Sequence, residues 1–497
     1  MDLLLGLDVG TTATKALLID VKGKTVASAS YTYGLITPHK DWVEQDPEEL
    51  WRGVIITIRK VLEHVKPEDK ILALSLSTQG GTTIPVDANY QPVGNAISWM
   101  DHRANKQAEQ MRNTLGESRM YEVTGWDIYD GLPLLHILWL RQNTPDIFKS
   151  AKHFLFVNDF IIYRLTGQTC MDPSNAGITQ LFNIASGQWD DGMLSIAGIS
   201  PDQLSPVHES GFVVGNVKAN RETGLSESTV VVNGAHDQYC AALGSGVIDT
   251  GDVMLSCGTA WVILGVMDQL RLDPKRRLSV SPHVIPNRWG ALRSMGAVGA
   301  CMEWFLDNIW IPKDRQTQYD ELNKCADKVP AGSKGLIFLP SSGGYGHGAN
   351  GGFIGLSIEH SRDDMARAVM EGIVFDLRWT LEEVHEAGIT SKVLRMVGGA
   401  ASSSVWTQIV TDITHIPVVL PSVTQSASYG AAILAGIGSG IFSSPSEAYQ
   451  SLSGEEKLVE PDVDSINRYD SLFHIYKDAF QQIGDSLLKL SNFSSGM

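Results

Sequence analysis

The chain has 497 residues, of which 43% are hydrophobic and 19% charged, and its formal net charge is −17. A chain of this length exceeds one ordinary hydrophobic core, so we expect two domains of roughly 250 residues each. The negative charge argues against nucleic acid or an anionic membrane as the main partner, because both bind basic surfaces. It permits a small anionic ligand, because backbone dipoles can hold phosphate inside an acidic protein.

The cysteines and the termini favour a cytoplasmic protein. The five cysteines are widely spaced and contain no CxxC pair, which predicts reduced thiols without a disulfide framework or a zinc site. The N-terminus lacks the basic region of a signal peptide. The uncharged run at 429–442 is short and rich in Gly and Ser, so no membrane span is predicted.

Three strands are predicted at the start of the chain, over 3–8, 14–19 and 25–33. Around the first turn, between two apolar runs, lie Asp8, Gly10, Thr11, Thr12 and Lys15. A helix is predicted after Asp46-Pro47, because proline suits the first helical turn and apolar residues follow at helical spacing. A buried strand then ends at Gly80-Gly81, so the first half is α/β.

A similar pattern begins again near residue 250. The run DVMLSCGTAWVILGV (252–266) has two apolar stretches about the turn Gly258-Thr259. The run VLRMVGGAASSSVWTQIVTDI (393–413) predicts a strand, a Gly-Gly turn and a helix, as the segment 71–81 does. This repeat predicts one α/β fold used twice, with domains at 1–246 and 247–497 and a cleft between them. The alternative is a coincidence of two ordinary hairpins.

The composition of the two turns points to phosphate. Glycine lets backbone N–H groups turn inward, and threonine hydroxyls add donors beside them. Asp8 could hold Mg²⁺ through water, because Mg²⁺ binds few carboxylates and keeps its hydration. A P-loop is rejected at 18–25, where the leading glycine is absent, and a dinucleotide fingerprint is rejected at 346–351, where a strand rather than a helix follows.

One carboxylate stands at a second strand end. The segment VVVNGAHDQYCAALGSG (230–246) predicts a strand followed by a helix, with Asp237 at the junction. An N-cap aspartate is the structural alternative for this residue. The two phosphate-type turns favour a general base instead, because a kinase needs a carboxylate near the acceptor hydroxyl. His236 is interpreted as a packing or capping residue.

These motifs resemble those of the FGGY family of carbohydrate kinases, in the actin and hexokinase fold superfamily, and are most similar to xylulokinases. The resemblance runs from residue 3 to about residue 441. It is carried by the turn at 8–15 and by WVEQDPEELW (42–51), SWMDHRA (98–104), GAHDQYCAALG (234–244), SCGTAWV (256–262), GGFIGLSIEHSRDDMARAVMEG (351–372) and GGAASSSVWTQIVTDI (398–413). It implies an α/β fold of two ribonuclease H-like domains with an interdomain active-site cleft.

The resemblance also implies the chemistry. An ATP-dependent kinase would transfer the γ-phosphate to a hydroxyl of a small sugar, with D-xylulose favoured among ketopentoses, while Asp237 accepts the proton and Asp8 holds Mg²⁺. The implied phosphate and nucleotide contacts are Thr11, Thr12, Lys15, Gly258, Thr259, Gly398, Gly399, Ala400 and Ser403. The implied substrate contacts are Gln79, Gly80, Gly81, Trp99, Asp101, Arg103, Asp172, Asp237 and Gln238. A homodimer is typical of such relatives.

The acceptor side departs from the xylulokinase pattern. Gln79-Gly80-Gly81-Thr82 stands where xylulokinases usually show Gln-Met-His-Gly, so both side chains that normally touch the substrate are missing. Either the pocket is widened or another segment fills the space, and a tight turn is the structural alternative. Gly131 stands where glycerol kinases place a tyrosine, which weakens a glycerol kinase assignment.

Several other residues allow two interpretations. Asp101 and Arg103 either bind sugar hydroxyls or pair with each other. Trp99 either stacks on a sugar or belongs to a core. The segment MDPSNAG (171–177) resembles xylulokinases and also the kinases of autoinducer-2. His136 stands where the family's upstream signature has a lysine.

The alternatives in function follow from these departures. The acceptor could instead be autoinducer-2, ribulose, gluconate or a polyol. From another class, the chain could be a nucleotide-dependent binding protein of the same superfold, or a sugar sensor derived from a kinase that has lost turnover.

Overall fold

The computed structural model describes residues 1–310, 315–340 and 350–495. Two compact units are present, the first formed by 1–250, 266–291 and 425–454 and the second by 251–265, 292–424 and 455–497. These units interleave along the chain, whereas the predicted domains 1–246 and 247–497 are continuous in sequence, so those boundaries stay a prediction. Residues 346–349 of the rejected GHGANG fingerprint lie outside the described residues.

The strands are short apart from those that form the two main sheets. They are β1 (Asp2–Val9), β2 (Ala13–Asp20), β3 (Thr25–Thr32), β4 (Glu44–Gln45), β5 (Lys70–Thr78), β6 (Ile84–Val86), β7 (Ala96–Ile97), β8 (His153–Leu155), β9 (Phe182–Asn183), β10 (Gln188–Trp189), β11 (Val213–Asn216), β12 (Val230–His236), β13 (Val253–Cys257), β14 (Trp261–Met267), β15 (Ser279–Pro282), β16 (Trp289–Ser294), β17 (Ile337–Leu339), β18 (Gly352–Ile354), β19 (Leu394–Gly398), β20 (Val418–Leu420) and β21 (Lys457–Val459).

The helices alternate with these strands in both units. They are α1 (Pro47–Leu62), α2 (Asn105–Thr114), α3 (Glu117–Thr124), α4 (Pro133–Asn143), α5 (Pro145–Ser150), α6 (Val157–Thr166), α7 (Pro173–Ile178), α8 (Asp191–Ala197), α9 (Asn220–Thr223), α10 (Asp237–Gly244), α11 (Val298–Asn308), α12 (Arg315–Lys328), α13 (Arg362–Glu386), α14 (Ser404–Thr414), α15 (Ser426–Gly438), α16 (Pro445–Leu452) and α17 (Val463–Ser495).

The first unit is built on a six-stranded sheet in the order β11-β12-β5-β1-β2-β3. The three strands predicted at the start of the chain are confirmed, and β1, β2 and β3 pair antiparallel. Strand β5 runs parallel to β1, and β12 runs parallel to β5. The carboxyl ends of β1, β5 and β12 therefore meet at one edge, where ligands bind in α/β sheets.

The core of this unit follows from the apolar residues of β1 and α1. Leu3, Leu5 and Leu7 point to one face of β1 and are fully buried. Helix α1 begins after the predicted Asp46-Pro47 signal, and the Asp46 side chain accepts a hydrogen bond from the Glu48 N–H. Burying each leucine stabilises the fold by about 1.5–3 kcal/mol relative to exposure.

Helix α15 lies against the opposite face of this sheet. A Cβ placed on Gly6 of β1 would come within 1.8 Å of the Ser428 carbonyl oxygen, so the strand and helix backbones approach each other closely. Only glycine permits this approach. Residues 429–436 of the uncharged run thus lie in the buried part of α15, and no helix within the described ranges is long and apolar enough to span a bilayer.

The second unit repeats the strand arrangement. Strands β14, β13, β19, β20 and β21 lie side by side in that order. Strand β13 pairs antiparallel with β14 and parallel with β19, as β1 does with β2 and β5. The predicted repeat of layout is therefore confirmed for these strands. Helix α13 packs through an apolar face on which Val369, Ile373 and Leu377 are fully buried.

Candidate active site

Asp8 lies at the end of β1, on the sheet edge where β1 and β5 finish. Its Cα pairs with Ser77 on one side and Lys15 on the other. The Ser77 hydroxyl donates to Asp8 Oδ1 at 2.8 Å. Desolvation and the charge of Asp237 raise the pKa of Asp8 to about 6, while Ser77 and Lys15 act in the opposite direction.

Asp237 is the first residue of α10, directly after β12. The β12–β5 register places Ala235 beside Ser77, so Asp237 follows from the same edge as Asp8. The Asp237 side chain is 32% exposed, which leaves its carboxylate open to a ligand. Desolvation raises its pKa to about 6, opposed by a hydrogen bond from the backbone of Gln238. The predicted strand–helix junction is confirmed.

Two acidic groups in one partly desolvated place suit a cation between or beside them. Within the described residues there is no group of three or more His, Cys, Asp or Glu side chains that could enclose a metal ion. Mg²⁺ does not need such a cage, because it binds one or two carboxylates together with water and phosphate oxygens. Asp8, whose negative charge Ser77 and Lys15 compensate only in part, fits this type of binding.

The turn after β1 presents polar groups that Trp99 helps to orient. The Gly10 N–H donates to the Ala13 carbonyl, which closes the turn, and Thr12 is exposed at its tip. The Trp99 indole N–H donates to Thr11 Oγ1 at 3.0 Å. This contact uses an acceptor site of the hydroxyl and leaves the Thr11 O–H free to donate to a ligand. Trp99 is 38% exposed, so it is no core tryptophan.

Gln79 is connected to the same turn. Its amide donates to Gln45 Oε1 at 2.9 Å, and the Gln45 amide donates to the Thr11 carbonyl at 2.8 Å. Gln79 Oε1 is buried and has no hydrogen-bond partner among the described residues. Gln238 Oε1 is also buried and has no hydrogen-bond partner among the described residues. Both oxygens are therefore available to accept a hydrogen bond from a ligand.

Neighbouring side chains lie directly against the Gly80-Gly81 pair. A Cβ on Gly80 would lie 2.4 Å from His236 Cδ2 and 3.0 Å from Ile178 Cγ2. A Cβ on Gly81 would lie 3.0 Å from both Leu132 Cδ2 and Trp99 Cβ, and Gly81 has a φ of 77°. These contacts support filling by other segments at Gly80, whereas the positive φ of Gly81 suits the tight turn.

Asp101 and Arg103 pair with each other, and their substrate contact stays a prediction. Asp101 is fully buried, and Arg103 Nε lies 2.9 Å and Nη2 2.8 Å from its oxygens. Nη2 also donates to Glu44 at 2.6 Å, and the guanidinium lies 4.0 Å above the ring of Trp42. The pair anchors the segment before α1, and the exposed fraction of its side chains is 3% for Arg103 and 0% for Asp101.

Asp172 is the N-cap of α7, and its substrate contact stays a prediction. The side chain is fully buried and accepts hydrogen bonds from the backbone N–H groups of Ser174 and Asn175. The Asn175 amide also donates to Thr78 Oγ1 at 3.1 Å, and the Ser174 hydroxyl accepts from the His236 N–H at 2.9 Å. Through Asn175 and Ser174, Asp172 therefore supports the carboxyl ends of β5 and β12.

His136 lies in α4 and is fully buried. Its Nδ1 lies 3.0 Å from the Thr83 hydroxyl. Burial, with smaller effects of Arg103 and His102, lowers the pKa of His136 to about 3, so the ring is neutral. The histidine in place of a lysine is thus a core residue in this chain.

The second unit contains a cavity of about 510 Å³ at the ends of β13 and β19. Gly258 and Thr259 line it, and so do Gly399, Ala400 and Ser403. Gly398 ends β19 with a φ of 93°, which turns the chain toward α14. The sequence therefore predicted residues from two separate motifs that share one cavity, and its volume suits a small ligand.

Other residues of this cavity carry no motif in the sequence. Ser403 Oγ donates to Asn323 Oδ1 at 2.9 Å, and the Tyr319 hydroxyl donates to the Glu303 carboxylate. Asn323 and Tyr319 belong to α12, a polar helix that lies outside all the motifs named from the sequence. Trp406 of α14 also lines the cavity.

The sequence matches two family models and several named proteins. The model of the FGGY family of carbohydrate kinases, N-terminal domain, matches residues 3–244, and the C-terminal domain of that family matches 253–439. Xylulose kinase of Bacillus subtilis (strain 168) is 29% identical over 502 residues, 99% of each chain. Autoinducer-2 kinase of Enterobacter sp. (strain 638) is 30% identical, over 97% of this chain and 95% of the relative.

A solved structure is similar over nearly the whole chain. Gluconate kinase from Lactobacillus acidophilus has a TM-score of 0.90 at 28% identity, covering 98% of this chain and 99% of that one. The fold is therefore that of two-domain α/β sugar kinases. The chain belongs to the FGGY family of carbohydrate kinases, which are ATP-dependent enzymes. The three similar proteins are named for three different acceptors.

Proposed function

We propose that the chain transfers the γ-phosphate of ATP to a hydroxyl of a small polyhydroxy acceptor, with D-xylulose as the first candidate and D-xylulose 5-phosphate as its product. The observation that carries this proposal is the pair Asp8 and Asp237 at one sheet edge, with elevated pKa values and an accessible Asp237. A base with a pKa near the working pH combines ionisation with useful proton affinity.

In this proposal each residue has a separate task. Asp237 accepts the proton of the attacking hydroxyl, and Asp8 holds Mg²⁺ through water. Mg²⁺ supplies compensation for the charge of the phosphates when it is bound. Lys15, Thr11 and Thr12 would contact phosphate from the first unit. Gly258 and Thr259 would do so from the second unit, where Gly399, Ala400 and Ser403 line the nucleotide cavity.

The acceptor would be held by the residues around the glycine pair. Gln79 and Gln238 supply buried oxygens without partners, which suit the hydroxyl donors of a sugar. Trp99 supplies a partly exposed ring. We therefore propose that Gln79, Gln238 and Trp99 contact the acceptor, and that Gly80 and Gly81 form part of the wall of its pocket.

We further propose that the enzyme acts in the cytoplasm, with acceptor binding in domain 1–246 and nucleotide binding in domain 247–497. The five cysteines, all within the described ranges, form no disulfide, and four of them are buried, as a reducing compartment would leave them.

ADP release should be measured with D-xylulose, D-ribulose, gluconate, a polyol and autoinducer-2 as acceptors. We expect the highest kcat/KM for D-xylulose, while a higher value for another acceptor would reassign the substrate within the same reaction. Asp237→Asn should lower turnover by roughly 10²–10⁴-fold while ATP still binds. Asp191→Asn, an exposed carboxylate in the first turn of α8, is the matched control. Absence of turnover with every acceptor would reject the proposal.

A further inference from the structure

The residue before the proposed base occupies the space beside Gly80. A Cβ on Gly80 would lie 2.4 Å from Cδ2 and 2.8 Å from Nε2 of His236, closer than real Cβ contacts. Gly80 has no positive φ, so its backbone does not demand glycine. The missing side chain at position 80 is therefore explained by the imidazole ring and not by a turn.

The ring of His236 is fixed from several directions. The backbone N–H of His236 donates to Ser174 Oγ at 2.9 Å, and that hydroxyl donates in turn to Asp172 Oδ1. The ring packs edge-on to Tyr239 at 5.8 Å between centroids. The side chain is only 9% exposed. A ring that is fixed in this way can fix the orientation of a neighbouring side chain.

The group that His236 faces is the carboxylate of Asp237. His236 Nε2 lies 3.4 Å from Asp237 Oδ1, whereas Nδ1 is buried and has no partner in the described part of the chain. The distance is at the outer limit of a hydrogen bond. Such contacts at active sites often tighten only when substrate is bound.

We propose that His236 is a positioning residue for Asp237, and that glycine at position 80 is required to admit its ring. The proposal rests on the function proposed above. In the substrate complex, the tightened contact would let Nε2–H donate to Oδ1 and leave the other carboxylate oxygen, Oδ2, to accept the proton of the acceptor hydroxyl. Burial lowers the pKa of His236 to about 4, which is consistent with a neutral ring that carries a single N–H.

Gly80 and His236 form a coupled pair, and the coupling between substitutions at these two positions can be measured. Gly80→Ala would push the ring away from its place, because the new Cβ would lie only 2.4 Å from Cδ2 and 2.8 Å from Nε2 of His236. Once the ring is removed by His236→Ala, the alanine at position 80 meets only Ile178. The effects of the two substitutions should therefore not multiply.

The test is a set of steady-state measurements on the full chain with the best acceptor. We expect His236→Ala and Gly80→Ala each to lower kcat by about 10–100-fold, as misplacement of a catalytic group does, with the KM for ATP unchanged. The double variant should lose less than about twofold more than His236→Ala. His236→Gln should recover most of the loss, because its amide keeps a donor. Gly34→Ala, where a Cβ has open space, is the matched control and should match the wild type.

Wild-type kcat in His236→Ala, multiplying losses in the double variant, or no recovery in His236→Gln would each overturn the proposal. A second readout does not depend on turnover. Long-range ¹H–¹⁵N spectra should show the Nε2–H tautomer of His236, with a resonance that shifts in Asp237→Asn. An Nδ1–H tautomer or an unmoved resonance would overturn the positioning role even if the kinase reaction is confirmed. If the wild type phosphorylates no acceptor, the proposed function fails, and these spectra alone decide the contact.

Discussion

Turnover should fall below pH 6 because of Asp237. A general base acts only when ionised, and desolvation raises the pKa of this carboxyl from 3.8 to about 6. The active form therefore predominates above pH 6 and is lost as the pH falls through that value. About nine tenths of the enzyme would carry the ionised base at pH 7, and about one tenth at pH 5.

The assay is kcat/KM for the acceptor between pH 5 and pH 8 at saturating ATP and constant ionic strength. This ratio reports the ionisation of the enzyme before the acceptor binds. We expect a plateau above about pH 6.5 and a tenfold fall per pH unit well below 6. ATP binding measured at each pH serves as the control, because it separates loss of nucleotide from loss of the base.

A kcat/KM that stays constant down to pH 5 would refute the reasoning, since it would mean that the surroundings of Asp237 do not raise its pKa from 3.8 to about 6. Loss of ATP binding in parallel with activity would assign the pH effect to the nucleotide side.

Three further outcomes test the structure away from the base. Gly6→Ala would place a Cβ 1.8 Å from a carbonyl oxygen of α15 and should lower the free energy of unfolding by about 1–3 kcal/mol or more, measured by urea denaturation against Gly34→Ala. Asn323→Ala should raise the KM for ATP several-fold with little change in kcat, and an unchanged KM would place the nucleotide elsewhere. Asp101→Asn should lower the free energy of unfolding by about 1–3 kcal/mol without raising the KM for the acceptor. A higher KM without a loss of stability would instead support a substrate contact of Asp101.

The features that the sequence predicted well are local in the chain. The hairpin of β1 and β2, the Asp46 cap of α1 and the junction before Asp237 each depend on neighbouring residues, and each is confirmed. Periodicity and capping signals act over a few residues, so a single sequence is enough to find them.

The features that escaped prediction depend on distant contacts. Gly80 contacts His236, and Ser403 contacts Asn323, across long stretches of chain. Helix α15 packs in the first unit although it follows the second unit's strands in sequence. The sequence left the roles of Asp101 and Arg103 open, and only their burial and mutual distances distinguish an ion pair from a sugar contact.

The proposed base, Asp237, and the proposed acceptor wall are positioned in different ways. This difference bears on how the same reaction could be carried out on different acceptors. The place of Asp237 is fixed by backbone pairing of β12 with β5 and by the capping network of α7 behind it. The wall around the glycine pair is made of side chains from separate segments, Trp99, Leu132 and Ile178. Side chains of the wall can change without moving the strands that hold the base. A change of acceptor would therefore leave the proposed catalytic edge in place, and the similar proteins are named for xylulose, gluconate and autoinducer-2.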